Sequence, residues 1–180
     1  MLSTTILGGL ALTIATAVDG AAIIDSLGTL STSSAELNNT VAEWSGGLFE
    51  ALPIVTQSIG LLTDTKEAAG VAEESEPLTF EEATTLAGAM QGLTTDIKNT
   101  LTTLKNTKPK FDKLSLGPVI LINLELQKKE TDNLSAAVVE KVPEELQEVA
   151  QGMVDQVGEL FSKAIDAYSL GIDLPFELPF

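Results

Sequence analysis

Residues 79–104 read TFEEATTLAGAMQGLTTDIKNTLTTL, and this stretch decides the fold class. Its opening, Thr79-Phe80-Glu81-Glu82, has the form of a capping box. The Thr79 hydroxyl and the Glu82 carboxylate then satisfy reciprocal backbone donors at a helix start. Beyond it, Leu86, Met90, Leu93, Ile97, Leu101 and Leu104 recur at three- and four-residue steps. That spacing lines one face of an α-helix. The helix is expected to break between Asn106 and Lys113, where Pro109 bars continuation.

The same period extends in both directions. Upstream, Ile23, Leu27, Leu30, Leu37, Val41 and Trp44 form a stripe whose one polar place is Ser34. Ser45-Gly46-Gly47 ends it, with glycines where a helix C-terminus favours them. Leu48, Leu52, Val55, Ile59 and Leu62 form a second stripe, with Pro53 near its start. Ala68 to Pro77, which carries Glu73, Glu74 and Glu76, reads as a solvated acidic connector.

Downstream, Gly117-Pro118 suits a first helical turn. Val119, Ile122 and Leu126 make the next apolar face, extended by Leu134, Ala137 and Val138. The unbroken apolar run 119–122 also fits a short strand, but the polar periodicity that follows favours helix. After Pro143, Glu144 and Glu145 sit at a positive helix N-terminus. Leu146, Val149, Met153, Val157, Leu160, Ala164 and Tyr168 complete the last stripe. The expected fold is all-α, an elongated antiparallel bundle of about five helices, each roughly 30–40 Å long at 1.5 Å rise per residue. Gly60, Gly88, Gly92, Gly152 and Gly158 fall inside these helices, at up to about 1 kcal/mol each relative to alanine. Close helix approach and room for an interior cavity are both open explanations.

The ends of the chain carry a different signal. Residues 1–17 read as a signal peptide: Met1 to Val18 are uncharged, and Ala15-Thr16-Ala17 fits a peptidase site. Residues 18–170 are the expected helical domain and 171–180 a non-helical tail. No second apolar run approaches the roughly 20 residues needed to span a bilayer. Asn38 and Asn133 head Asn-x-Ser/Thr triplets, candidate glycan positions in a secreted chain.

Composition removes many functions. The net charge is −16, every basic side chain is lysine, and arginine, histidine and cysteine are absent. An acidic chain without the bidentate Arg fork is not built for nucleic acid. Without His or Cys, the usual zinc, haem and iron–sulfur ligands are missing, as is the base of a histidine triad. No cofactor or metal is expected. Aromatics are 4% of the chain, too few to furnish the platforms of a glycosidase cleft. Paired carboxylates such as Glu81-Glu82 are accounted for as helix caps, so an enzyme is not expected.

Three motifs carry a resemblance: Lys108-Pro109-Lys110-Phe111 followed by Leu114; Val142-Pro143-x-x-Leu146; and Val154-x-x-Val157-x-x-x-Phe161-x-x-Ala164-Ile165-x-Ala167-Tyr168. As a set they resemble the fungal hydrophobic-surface-binding and cell-wall galactomannoprotein family, from about Asp19 to Tyr168. The resemblance implies a secreted five-helix bundle with a central apolar cavity that encloses a long-chain fatty acid or similar lipid. It also implies adsorption to hydrophobic surfaces, with hydrolase recruitment as a further role. Many family members continue into a Ser/Thr-rich stalk, whereas here Gly171–Phe180 follows, with Leu174, Phe176, Leu178 and Phe180 apolar. Free secretion or loose association with cell-wall glycan is therefore expected.

On that reading the cavity lining is expected to be Leu52, Val55, Ile59, Met90, Leu93, Ile97, Ile122, Leu126, Met153, Val157 and Leu160. Ser34, Gln57 and Gln91 are the candidate contacts to a lipid head group.

Overall fold

The computed structural model describes residues 20–170, so the signal-peptide and tail expectations lie outside the described residues. Five α-helices account for most of them: α1 (Gly20–Glu43), α2 (Leu52–Glu74), α3 (Phe80–Lys113), α4 (Gly117–Lys141) and α5 (Glu144–Ser169). A short 3-10 turn, Phe49–Ala51, leads into α2. There is no regular strand among the described residues; the 119–122 run is helical.

The predicted start of α3 is present in full. Thr79 accepts from the Glu82 amide, and Glu82 accepts from the Thr79 amide at 2.8 Å. Those contacts hold the Glu82 carboxyl below its ordinary pKa, the Thr79 hydroxyl being the larger cause.

Two expected interruptions are absent. The α3 helix runs through Pro109 to Lys113. A proline inside a helix costs about 3 kcal/mol through its missing N–H and its ring's clash with the preceding turn, yet this last turn carries the packing of one bundle end. Phe111 is buried there, its ring 4.4 Å from Trp44 and 6.5 Å from Tyr168. Lys110 donates from Nζ to the Trp44 carbonyl at 2.6 Å. Pro109 itself faces solvent.

The expected acidic connector is likewise mostly helix. Ala68, Ala69 and Ala72 are buried, while Glu67, Glu73 and Glu74 on the other face are exposed. Small side chains at the inner positions continue the stripe without adding apolar bulk, which is why composition alone hid it.

Hydrogen bonds between helices fix their directions. Ser31 pairs with Asp96, Ser34 with Thr100, Asn38 with Thr103 and the Trp44 carbonyl with Lys110. Numbers rise together, so α1 and α3 run parallel. Thr65 with Gln127, and Ser75 with Lys141, make α2 and α4 parallel too. Consecutive helices therefore alternate in direction along the chain. In space each packs on two neighbours, in the cyclic order α1, α2, α4, α5, α3. The α2–α3 connector makes this possible by crossing the end of the bundle. Leu78 donates to the Lys141 carbonyl at 2.8 Å and packs over Gly20, where an added Cβ would lie 2.8 Å from its side chain.

Burial divides into two clusters along the axis. One gathers Ile23, Leu27, Ala72, Leu86 and Val138; the other gathers Val41, Trp44, Ile54, Phe111, Phe161 and Tyr168. The motif residues Phe111, Phe161, Ala164 and Tyr168 thus build the floor of the second cluster.

Candidate functional site

Where the two clusters meet, the ring of helices lines a cavity of about 50 Å³. All five helices contribute to its wall. Leu30, Ser34 and Leu37 come from α1, and Leu61 and Thr65 from α2. Leu93, Ile97, Thr100, Leu101 and Leu104 come from α3. Asn123, Leu124, Gln127, Thr131 and Leu134 come from α4, and Phe161 from α5. No charged side chain is among them.

The polar residues form a belt at mid-height. On the α1–α3 side, Ser34 Oγ lies 3.0 Å from Thr100 Oγ1, which also reaches the Asp96 carbonyl at 2.8 Å. On the α2–α4 side, Gln127 Nε2 donates to Thr65 Oγ1 at 2.6 Å, and Thr65 donates to the Leu61 carbonyl at 2.7 Å. Ser34, Thr65, Thr100, Gln127 and Thr131 are all buried. Gln127 Oε1 has no hydrogen-bond donor.

Of the expected lining, Leu93 and Ile97 face this cavity, and Ser34 among the head-group candidates does too. Val157 is buried and Leu160 half-buried in the aromatic cluster, outside the wall. Met90 and Met153 line a different apolar pocket of about 150 Å³ between α3 and α5, with Leu86, Leu146 and Val149. That pocket is the roomier of the two, but it lacks the polar belt and draws on fewer helices.

Leu52, Ile59, Ile122 and Leu126 correct the sequence assignment: they point outward, Leu52 with 61% and Ile59 with 55% of their surface exposed. Val55 is half-buried and away from the cavity. Gln91 is exposed; Gln57 is half-buried outside the wall, with Oε1 buried and unpaired. Asn133 is exposed, whereas Asn38 sits in the α1–α3 seam and accepts from Thr103 at 2.6 Å.

The correction has a plain cause. On α4 the stripe Val119, Ile122, Leu126 runs out into Lys129, Glu130 and Asn133. The inner stripe is Ile120, Leu124, Gln127, Thr131, Leu134 and Val138, which keeps step along the whole helix. On α2 it is Ile54, Leu61, Thr65, Ala68 and Ala72, with Leu61 half-buried. Both true stripes are interrupted by the polar residues of the cavity, which disguised them. Continuity over the full helix length was the signal that separates them from the outer stripes.

A family model for hydrophobic surface binding protein A matches residues 20–140. The chain belongs to that family. This bears out the family resemblance, and of its three motifs the one from Lys108 to Leu114 lies inside the matched residues. Cell wall mannoprotein 1 of Aspergillus flavus is 24% identical over 149 residues, 83% of this chain and 54% of the relative. Cell wall mannoprotein 1 of Aspergillus fumigatus is 24% identical over 77% of this chain and 48% of its own length. The chain thus spans about half the length of these relatives.

Among solved structures, AFMP4P in complex with palmitic acid superposes with a TM-score of 0.81 at 26% identity, covering 83% of this chain and 99% of that one. Ligand binding domain 1 of Penicillium marneffei MP1, complexed with arachidonic acids, gives 0.78 at 25% identity, covering 81% and 95%. The five-helix fold is therefore shared with both.

Proposed function

We propose that this domain carries a long-chain fatty acid or similar lipid along the axis of its helical ring. The supporting observation is the uncharged cavity walled by all five helices, in a fold shared with proteins bound to palmitic and arachidonic acids. In the form described it is small: about 50 Å³, against the roughly 300–1,000 Å³ typical of ligand pockets. Uptake therefore proceeds with spreading of the ring. Burying sixteen carbons contributes about 0.8 kcal/mol per methylene, roughly 12 kcal/mol gross. Ordering costs offset part of this, and the remainder drives the helices apart.

The relatives are named as cell wall mannoproteins, which supports an extracellular or wall-associated place. Exposed Asn133 offers a glycan position there, with Asn38 the less accessible of the two. The domain works as a carrier rather than a catalyst. No helix among the described residues is long and apolar enough to cross a membrane.

A second reading, adsorption to hydrophobic surfaces, draws on the outward residues. Phe49, Leu52 and Ile59 on the α2 side and Val119, Ile122 and Leu126 on α4 are exposed. The Thr65–Gln127 register of these parallel helices sets Ile59 level with Leu121 and Ile122.

Titration with palmitate tests the carrier reading. Ile97→Glu places a charge in the cavity wall and abolishes uptake. Leu30→Phe, which fills the cavity from α1, weakens uptake at least tenfold. Helix content and unfolding midpoint are followed for both variants. Undiminished affinity in folded Ile97→Glu and Leu30→Phe would remove the lipid from this cavity.

A further inference from the structure

Resting on the carrier reading, we propose that the cavity selects lipids whose polar group is an uncharged hydrogen-bond donor, held against Gln127 and Thr131 in mid-bundle. An alcohol and an undissociated carboxylic acid share this chemistry. Gln127 is 6% exposed, lines the cavity, and has Oε1 buried without a donor. Its amide orientation is set from the other end. Thr65 gives its only proton to the Leu61 carbonyl at 2.7 Å, so it must accept, and Gln127 Nε2 is the donor at 2.6 Å. Oε1 is therefore left as an acceptor. Thr131, one turn further along α4, sets a hydroxyl on the same face.

Elsewhere in the belt the protons are used within the protein. Ser34 and Thr100 are hydrogen-bonded to each other at 3.0 Å, and Thr100 Oγ1 lies 2.8 Å from the Asp96 carbonyl and 2.9 Å from the Ser34 carbonyl. No lysine lines the cavity. A carboxylate only accepts hydrogen bonds. It would leave Gln127 Oε1 unpaired and bring a full charge into an interior with no cation. A hydroxyl, or a carboxyl that keeps its proton, donates to Gln127 Oε1 while its oxygen accepts from Thr131 or Asn123.

Competition between hexadecan-1-ol and methyl palmitate for the protein, read by the lipid recovered on extraction, tests the proposal. The alcohol is expected to be favoured about tenfold. A cavity without the acceptor ranks them the other way, because the ester buries more apolar surface. In Gln127→Met, which keeps the length of the side chain, the preference for the alcohol over methyl palmitate disappears. The infrared carbonyl band of bound 1-¹³C-palmitic acid separates the two sources. An undissociated band at neutral pH admits the acid, and a carboxylate band with the alcohol preference intact assigns the site to alcohols. Equal or better binding of the ester in the unaltered protein overturns the selectivity while leaving the carrier reading standing. Failure of all three lipids to bind overturns both.

Discussion

Tyr168 shows how one side chain ties a motif to the fold. Fully buried, it donates from its hydroxyl to the Leu104 carbonyl at 2.7 Å, and its ring packs against Phe111. Burial, and then the Asp112 charge, push its pKa well above the ordinary value near 10. A raised folded-state pKa stabilises the fold below the unfolded value and loses that contribution as pH rises above it. Stability is therefore expected to fall above about pH 10. Tyr168→Phe should lower stability by roughly 1–2 kcal/mol at neutral pH and flatten the alkaline fall, both read from denaturant midpoints across pH. An identical alkaline fall in Tyr168→Phe would place the titrating group elsewhere. At this scale the sequence was an uneven guide. Leu93, Ile97 and Ser34 were legible as interior because their stripes are dominated by large apolar neighbours. Gln127, Thr65 and Thr131 were not, because buried polar residues look like surface until a partner on another helix is known.

The helices themselves were legible in number and almost in extent. Periodicity and the Thr79–Glu82 capping box place α3, while its end depends on Trp44 and Tyr168, which are distant in sequence. Pro109 is a local signal outweighed by those tertiary contacts. The helical glycines resolve differently from either explanation open in the sequence. A Cβ added at Gly88, Gly92, Gly152 or Gly158 meets nothing within 4 Å; the first three are exposed and Gly158 is half-buried. They neither bring helices together nor widen the cavity. Replacing Gly88 and Gly92 by alanine should stabilise α3 by up to about 1 kcal/mol each, raising the thermal midpoint. A lower midpoint would reveal contacts that open space does not provide.

At the scale of the molecule, the alternation of helix directions follows from short links, but the cyclic order does not. Nothing local distinguishes a connector that joins adjacent helices from one that crosses the end of the bundle, as 75–79 does. The crossing is set by Leu78 docking between Lys141 and Gly20. That order brings five inner stripes to one axis. It also leaves two core clusters, joined through Leu61 and Ile97, with the cavity where they meet. A ring with a narrow centre between two packed clusters can widen at mid-height while both clusters stay packed.

Native mass spectrometry of the protein before and after organic extraction tests lipid carriage most directly. The extracted protein, given palmitic acid or hexadecan-1-ol, is expected to gain the mass of a discrete lipid and to lose it again on re-extraction. Ion-mobility should show a modestly larger cross-section in the loaded form, as the ring spreads. A bare mass that takes up neither lipid would rule out lipid carriage and leave adsorption through the exposed residues of α2 and α4 as the function to pursue.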